Sequence, residues 1–267
     1  LERRGAIMGI LNATPDSFSD GGAHATVEAA VAHGLRMAAE GADILDIGGE
    51  STRPGAGPVT AREEIRRVIP VIEELAARCG TAISIDTSKA EVARAALAAG
   101  AEIINDITAL RGDPEMAGIA AESGAGLVLM HMQGTPQTMQ AEPRYDDVVP
   151  EVAEFLRGRI AAALAGGVGA ERIAVDPGIG FGKTAEHNLQ LVAGLCEIAA
   201  LGRPVLLGAS RKSFLAAAAG CTDMEERDAA TAALTALGRK SGVSIFRVHA
   251  VRANLCALRL AERVNAF

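Results

Sequence analysis

The chain has no tryptophan and one tyrosine, and aromatic residues make up only 3% of its 267 positions. Its core must therefore be aliphatic, built from Ala, Val, Ile and Leu, which dominate an apolar content of 49%. Basic charge is also scarce, with 26 Lys and Arg against 33 acids and a formal charge of −7. That balance argues against a nucleic-acid or membrane-surface partner, since either needs a clustered excess of cations. An anionic substrate would have to be met by a few placed cations. The cysteines Cys79, Cys196, Cys221 and Cys256 are scattered, with no Cys-x-x-Cys or Cys/His ligand spacing. Structural zinc and a disulfide framework are both unexpected. No apolar run reaches membrane-spanning length, and no secretory segment follows Leu1-Glu2-Arg3-Arg4, so a cytoplasmic protein is expected. There is no linker or low-complexity stretch, which leaves one domain over residues 1–267.

What is present alternates from end to end. Short apolar runs lie at Ala6–Leu11, Ile44–Ile47, Ala82–Ile85, Ile103–Ile104, Leu127–Met130, Ile173–Val175, Val205–Leu207 and Ile245–Val248. Between them, stretches rich in Ala, Leu, Glu and Arg carry helical spacing at 26–40, 60–78, 89–99, 114–123, 148–165, 185–199, 226–241 and 251–264. Continuous rather than alternating apolar runs indicate strands buried on both faces, hence a parallel sheet. About eight such units in this length predict an α/β fold, a closed (β/α)8 TIM barrel. A doubly wound open sheet is the alternative.

Polar residues follow nearly every run: Asn12; Asp46 and Glu50; Asp86; Asn105 and Asp106; His131; Asp176; Ser210 to Lys212; and Arg247 with His249. In a barrel these ends share one rim, where active sites are built. Each alone could be a cap or a turn residue. Their convergence on one rim points to an enzyme.

The stretch Ile173-Ala174-Val175-Asp176-Pro177-Gly178-Ile179-Gly180-Phe181-Gly182-Lys183 reads as a buried strand ending in a carboxylate, followed by a glycine-rich turn. A carboxylate there is costly unless hydrogen-bonded, so a pocket with ligand donors is expected. Gly182-Lys183-Thr184 imitates the end of a nucleotide P-loop, but Pro177 stands where that motif needs glycine and removes a donor phosphate would use. A dinucleotide Gly-x-Gly-x-x-Gly fails at Lys183. The connections at 12–22 and 48–58 are unusually long and rich in Pro and Gly, as suits lids over a ligand. Cations gather late, at Arg211, Lys212 and Arg247 with His249, after strands 7 and 8, where barrels frequently bind phosphate. His131 is left open between a rim role and a structural hydrogen-bonding one, and His24, His33 and His187 are assigned surface or helix-entry positions.

These segments resemble the dihydropteroate synthase family. The resemblance rests on Asn12-Ala13-Thr14-Pro15-Asp16-Ser17-Phe18-Ser19-Asp20-Gly21-Gly22 and Gly48-Gly49-Glu50-Ser51-Thr52-Arg53-Pro54-Gly55-Ala56. It continues through Asp86-Thr87-Ser88-Lys89, Ile104-Asn105-Asp106-Ile107, Met130-His131-Met132-Gln133-Gly134, and Asp176 to Lys183. Ser210-Arg211-Lys212-Ser213 and Arg247-Val248-His249 complete it, so that it spans essentially the whole chain in order. Ala250 and Ala13 depart from it, where Asp and Val are usual.

The resemblance implies a folate-pathway transferase and sulfonamide target that joins 6-hydroxymethyl-7,8-dihydropterin diphosphate to 4-aminobenzoate, with Mg²⁺. Thr52, Asp86, Asn105, Asp176, Lys212, Arg247 and His249 would bind the pterin diphosphate. Phe18, Thr52, Arg53, Pro54, Phe181 and Ser213 would receive 4-aminobenzoate. Lys212, Arg247, His249 and Arg53 would carry catalysis by stabilising a departing diphosphate, in a dissociative route without a protein nucleophile, and Asn12 would help hold Mg²⁺. A homodimer through outer helices is implied as well. Two rivals share the pterin residues: a methyltetrahydrofolate-dependent corrinoid methyltransferase, and a pterin-binding paralogue without catalysis. The first has no use for Ser210-Arg211-Lys212 or Arg247-Val248-His249, and the second predicts damage to the two long connections, which are intact in sequence.

Overall fold

The computed structural model describes residues 4–13, 22–51 and 57–266, with the backbone alone for 22–26. Eight parallel strands run β1 (Ala6–Asn12), β2 (Ile44–Gly48), β3 (Ala82–Asp86), β4 (Ile103–Asp106), β5 (Gly126–Met130), β6 (Ile173–Asp176), β7 (Leu206–Leu207) and β8 (Ile245–Val248). Their order is β6-β5-β4-β3-β2-β1-β8-β7. A bridge between Val175 and Val205 joins the two ends, with the Val175 amide donating to the Pro204 carbonyl at 2.9 Å. The sheet is thus a barrel rather than an open doubly wound sheet.

The helices are α1 (Gly22–Glu40), α2 (Ala61–Arg78), α3 (Ala90–Ala98), α4 (Met116–Ser123), α5 (Val148–Ala165), α6 (Ala185–Ala193), α7 (Leu195–Ala199), α8 (Ser213–Ala219), α9 (Met224–Lys240) and α10 (Val251–Asn265). Their ends follow from local chemistry. In α2 the Thr60 hydroxyl accepts from the Glu63 amide, Glu63 and Glu64 occupy the first turn, and Arg78 the last. Val68, Val71, Ile72 and Leu75, three or four apart, form its buried stripe. Two differences from the predicted elements have local causes. The helix expected over 185–199 breaks at Gly194, where a Cβ would lie 2.7 Å from Val149 of α5, so the missing side chain permits close packing. The short α8 is not visible as a period in the sequence because its seven residues are mostly alanine.

Strand period places the chemistry. One parity faces outward against the helices, with Ile7, Leu45, Ile83, Ile104, Leu127 and Val175 among its buried residues. The other parity faces inward. At its lower level Met8, Ile44, Ala82, Ile103, Val128, Ala174, Leu206 and Ile245, one from each strand, pack into a hydrocarbon plug. Two residues further along each strand the inward positions become Ile10, Asp46, Ser84, Asn105, Met130, Asp176, Gly208 and Arg247. Polar side chains therefore stand on an apolar floor at the C-terminal end of the barrel.

Candidate active site

Arg247, near the end of β8, is the hub of this polar level. Its Nε donates to Asp46 Oδ2 at 2.6 Å and a terminal nitrogen to Asp86 Oδ2 at 2.7 Å. Asn105 Nδ2 donates to the same Asp46 oxygen at 3.1 Å. Strand register makes the cluster possible, since Asp46 pairs with Ser84 and Asp86 with Asn105 on neighbouring strands. Burial alone would lower the Arg247 pKa, but Asp46 and Asp86 outweigh it and hold the guanidinium charged. Asp86 is pushed up to about 7 by burial and by Asp46, against the pull of Arg247. Asp46 Oδ1 is buried with no hydrogen-bond partner among the described residues.

Asp176 faces this cluster from the end of β6 and is 5% exposed. Its Oδ1 accepts from the Gly178 amide at 2.7 Å. Burial raises its pKa, opposed by Lys212, the Gly178 amide, Arg247 and Lys183. Gly208 leaves open the ground beside Asp176, because even an added Cβ would stay 3.7 Å from Oδ2. Lys212 comes from the N-terminal cap of α8, with Nζ 4.4 Å from the Phe181 ring centroid and bonded to the Ile179 carbonyl. Burial lowers its pKa to about 8, with Asp176 pulling the other way.

The glycine-rich turn does not cradle a nucleotide phosphate. Three of its amides are committed inside the protein: Gly178 to Asp176, Gly180 to Asn188 Oδ1 at 2.7 Å, and Phe181 to the Gly178 carbonyl at 3.0 Å. The glycines serve close approach instead. Gly178 has φ +69° and a Cβ there would lie 1.8 Å from the His131 carbonyl oxygen; at Gly182 it would lie 2.6 Å from that of Gln133.

The remaining expected site residues fall as follows. Asn12 ends β1 in register with Gly48, which is in turn in register with Asp86. The missing side chain of Gly48 leaves the Asn12 and Asp86 oxygens on either side of one gap, since a Cβ there would lie 3.9 and 3.8 Å from them. His249 Nδ1 is 2.9 Å from Ser210 Oγ, beside the ends of β7 and β8. Phe181 packs on a cluster of Ile107, Met130, Met132 and Met139. Ser213 is the exposed first residue of α8. Phe18, Thr52, Arg53 and Pro54 lie outside the described residues.

Some rim residues singled out by position turn away from the pocket. Asp106 accepts from the Thr108 and Leu110 amides at 2.8 and 2.7 Å, and so caps a turn. Arg211, at φ +59°, pairs with Asp228 of α9 through two bonds of 2.8 and 2.7 Å. Glu50 and Glu64 both bind Lys89, and Glu50 also accepts from the Val59 amide at 2.9 Å, tying off the second long connection. His131 is buried and bonded to Lys183, and His187 closes a capping box with Thr184 at the start of α6. The sequence placed Asp46 on the rim without a task, and its inward position two residues before Gly48 makes it the carboxylate that Arg247 and Asn105 share. Lys183, read there as part of a motif, received no task of its own.

A barrel whose polar rim pairs inward carboxylates with one arginine and one lysine is the site of a ligand-binding α/β enzyme. Residues 8–249 match the family of pterin binding enzymes. Dihydropteroate synthase of Streptococcus pyogenes serotype M6 is 49% identical over 255 residues, covering 95% of this chain and 93% of that protein. The Xanthomonas albilineans dihydropteroate synthase solved with 4-aminobenzoic acid has a TM-score of 0.93 at 52% identity, covering 99% and 94% of the two chains. The same organism's enzyme in complex with 7,8-dihydropteroate gives a TM-score of 0.89 at 49% identity, with 99% and 95% covered. The chain belongs to the pterin binding enzyme family, and within it to the dihydropteroate synthases, which are transferases.

Proposed function

We propose that the pocket joins 6-hydroxymethyl-7,8-dihydropterin diphosphate to 4-aminobenzoate, yielding 7,8-dihydropteroate and diphosphate. The observation that carries this reading is the convergence of Asp176, Asn105, Asp86, Lys212 and Arg247 on one apolar floor. Asp176 offers its free oxygen to the paired donors of the pterin's guanidine-like edge, and Asn105 and Asp86 complete the match. Paired bonds of this kind reject rings that lack the pattern. Arg247, held flat by two carboxylates, presents a planar face on which the ring stacks. Lys212 bonds the ring's polar rim.

The reaction breaks the C–O bond of the hydroxymethyl group, and its electron pair leaves with diphosphate. Arg247, His249 and Arg53 meet the charge that grows there, the kind of preset stabilisation that usually dominates catalysis. The pterin cation is then attacked by the arylamine nitrogen, which loses a proton. Phe18, Thr52, Arg53, Pro54, Phe181 and Ser213 form the 4-aminobenzoate side, where sulfonamides would compete. For Mg²⁺ the fit is economical. No group of three or more His, Cys, Asp or Glu able to hold a metal occurs among the described residues, but the Asn12 amide oxygen beside the Gly48 gap supplies one hard ligand. An ion that keeps most of its coordination for phosphate and water suits such a site. When bound it would supply positive charge to the leaving group.

Leu237 of α9 with Leu260 and Val264 of α10 are each more than half exposed on adjacent helices, which supports a homodimer through that face. The four cysteines stand free, which supports a cytoplasmic setting. No described helix is long and apolar enough to cross a membrane. The test is product formation by the purified protein from the pterin diphosphate and Mg²⁺, with and without 4-aminobenzoate. Dihydropteroate formed by the native chain and lost in Lys212→Ala is the expected result. Tight pterin binding with no product under any condition overturns the synthase reading.

A further inference from the structure

Two lysines hold the turn after β6, and only one of them faces the pocket. Lys212 takes the Ile179 carbonyl from the pocket side. Lys183, 3% exposed, takes the carbonyls of Gly178 and Phe181 from behind at 2.9 and 3.0 Å. Its third partner is His131 Nδ1 at 2.9 Å. That ring is itself buried, edge-on to Phe155 at 4.7 Å, and its pKa is lowered to about 3 by burial and by the charges of Lys183 and Arg111. The imidazole is therefore neutral and accepts at Nδ1. The His131 amide donates to the Asp176 carbonyl at 2.9 Å, so the network returns to the residue that starts the turn.

All three partners of the Lys183 ammonium are neutral. A buried cation without a bonded carboxylate is costly, and an apolar residue of similar length would fill the space without that cost. Burial lowers the Lys183 pKa to about 7, with the charge of Asp176 opposing that fall and Lys212 adding to it. Below neutral pH the side chain is therefore the ammonium, and Asp176 is the carboxylate that balances it. Asp176 is thus flanked by three cations, with Lys212 and Arg247 on the pocket side and Lys183 behind, while Asp86 and Asp46 lie beyond Arg247. The Tyr145 ring, 6.0 Å from Nζ, adds a weak cation–π contact.

Resting on the pterin-site reading above, we infer that Lys183 is a positioning residue of that site. It clamps the carbonyl face of the 176–183 turn from behind and adds a third positive charge, after Lys212 and Arg247, that helps keep Asp176 an acceptor. When Lys212 turns to the pterin it releases the Ile179 carbonyl, and Lys183 is the hold that remains. His131 acquires a matching task, as the neutral acceptor that orients the ammonium.

The test uses Lys183→Met, which removes both donor and charge, and Lys183→Gln, which keeps an N–H donor on a shorter side chain and removes the charge. Thermal unfolding is measured first, then pterin affinity per folded molecule across pH 5.5–9. Lys183→Met is expected to weaken pterin binding roughly ten- to a hundredfold. Its acid limb should move to higher pH, because Asp176 keeps its proton longer once the cation is gone. Lys183→Gln should recover much of the affinity and none of the shift in the limb. Unchanged affinity and an unchanged acid limb in both variants, even with a lower Tm, would reduce Lys183 to packing and overturn the inference. Should Lys183→Met not fold, the limb in Lys183→Gln decides alone. A native protein that binds no pterin at all would sink the site reading itself, a distinct outcome.

Discussion

The lower and upper levels of the barrel interior come from the same eight strands, two residues apart, and share almost no chemistry. The lower level is hydrocarbon throughout, from Met8 to Ile245. The upper one holds Asp46, Ser84, Asn105, Asp176 and Arg247. Stability and recognition are thus separated along the strand axis. The lower level gains from burial, roughly 1.5–3 kcal/mol for each large side chain. The upper level and the polar groups just above it incur desolvation that shows in their pKa values: Asp86 up to about 7, Lys212 down to about 8. A site held at that cost by its own fold is one prepared for a ligand.

Substitutions can break or sharpen this contrast. Lys212→Ala is expected to lower kcat/KM by about 10²- to 10³-fold while leaving the Tm unchanged or higher, as steady-state kinetics and calorimetry would show. Leu206→Ala, in the lower level, should do the reverse. Chemical denaturation should give a loss of about 2–5 kcal/mol, with pterin affinity of the folded fraction retained. Gly178→Ala lies between the two, since a Cβ meets the His131 carbonyl and the backbone is at positive φ. A loss of roughly 2–4 kcal/mol should come with a shifted Asp176 and weaker pterin binding.

Smaller effects concern protons. The Asp86 pKa is raised in the native state from 3.8 to about 7, so the folded protein binds this proton more tightly than the unfolded chain. Its contribution is therefore lost as pH rises through about 4 to 7. Asp86→Asn should stabilise the free protein by roughly 1 kcal/mol at pH 8, about 2–4 °C in Tm, with a smaller gain at pH 5. In the same experiment it should weaken pterin binding. The kcat/KM of the native enzyme should fall above pH 8 as Lys212 deprotonates, and Lys212→Arg should abolish that limb.

Much of this contrast was readable beforehand. Apolar runs of two to six residues gave every strand within a residue or two, because strands covered on both faces leave no alternation to misread. Asp86, Asn105, Asp176 and Arg247 were legible for a related reason: a polar residue closing such a run has few inexpensive places to point. What stayed hidden was parity. Asn105 and Asp106 are adjacent and both polar, yet one faces the pocket and the other caps a turn. Arg211 and Lys212 divide the same way, because α8 and the ion pair to Asp228 cannot be inferred from an alanine run. Asp46 and Lys183 were visible as residues but not in their tasks, because their partners, Arg247 and His131, lie 201 and 52 residues away.

The barrel closes at its weakest seam. Strand β7 has two residues, and its link to β6 is the Val175–Val205 bridge. Breathing of the closed sheet will therefore concentrate beside Asp176 and Gly208, within the pocket wall. A pterin lodged between β6 and β8 would act as a rivet across that gap. The Val175 amide should exchange with solvent deuterium faster than that of Leu45 in the free enzyme, and slow most when pterin is added. The ligand would then complete the barrel as well as occupy it.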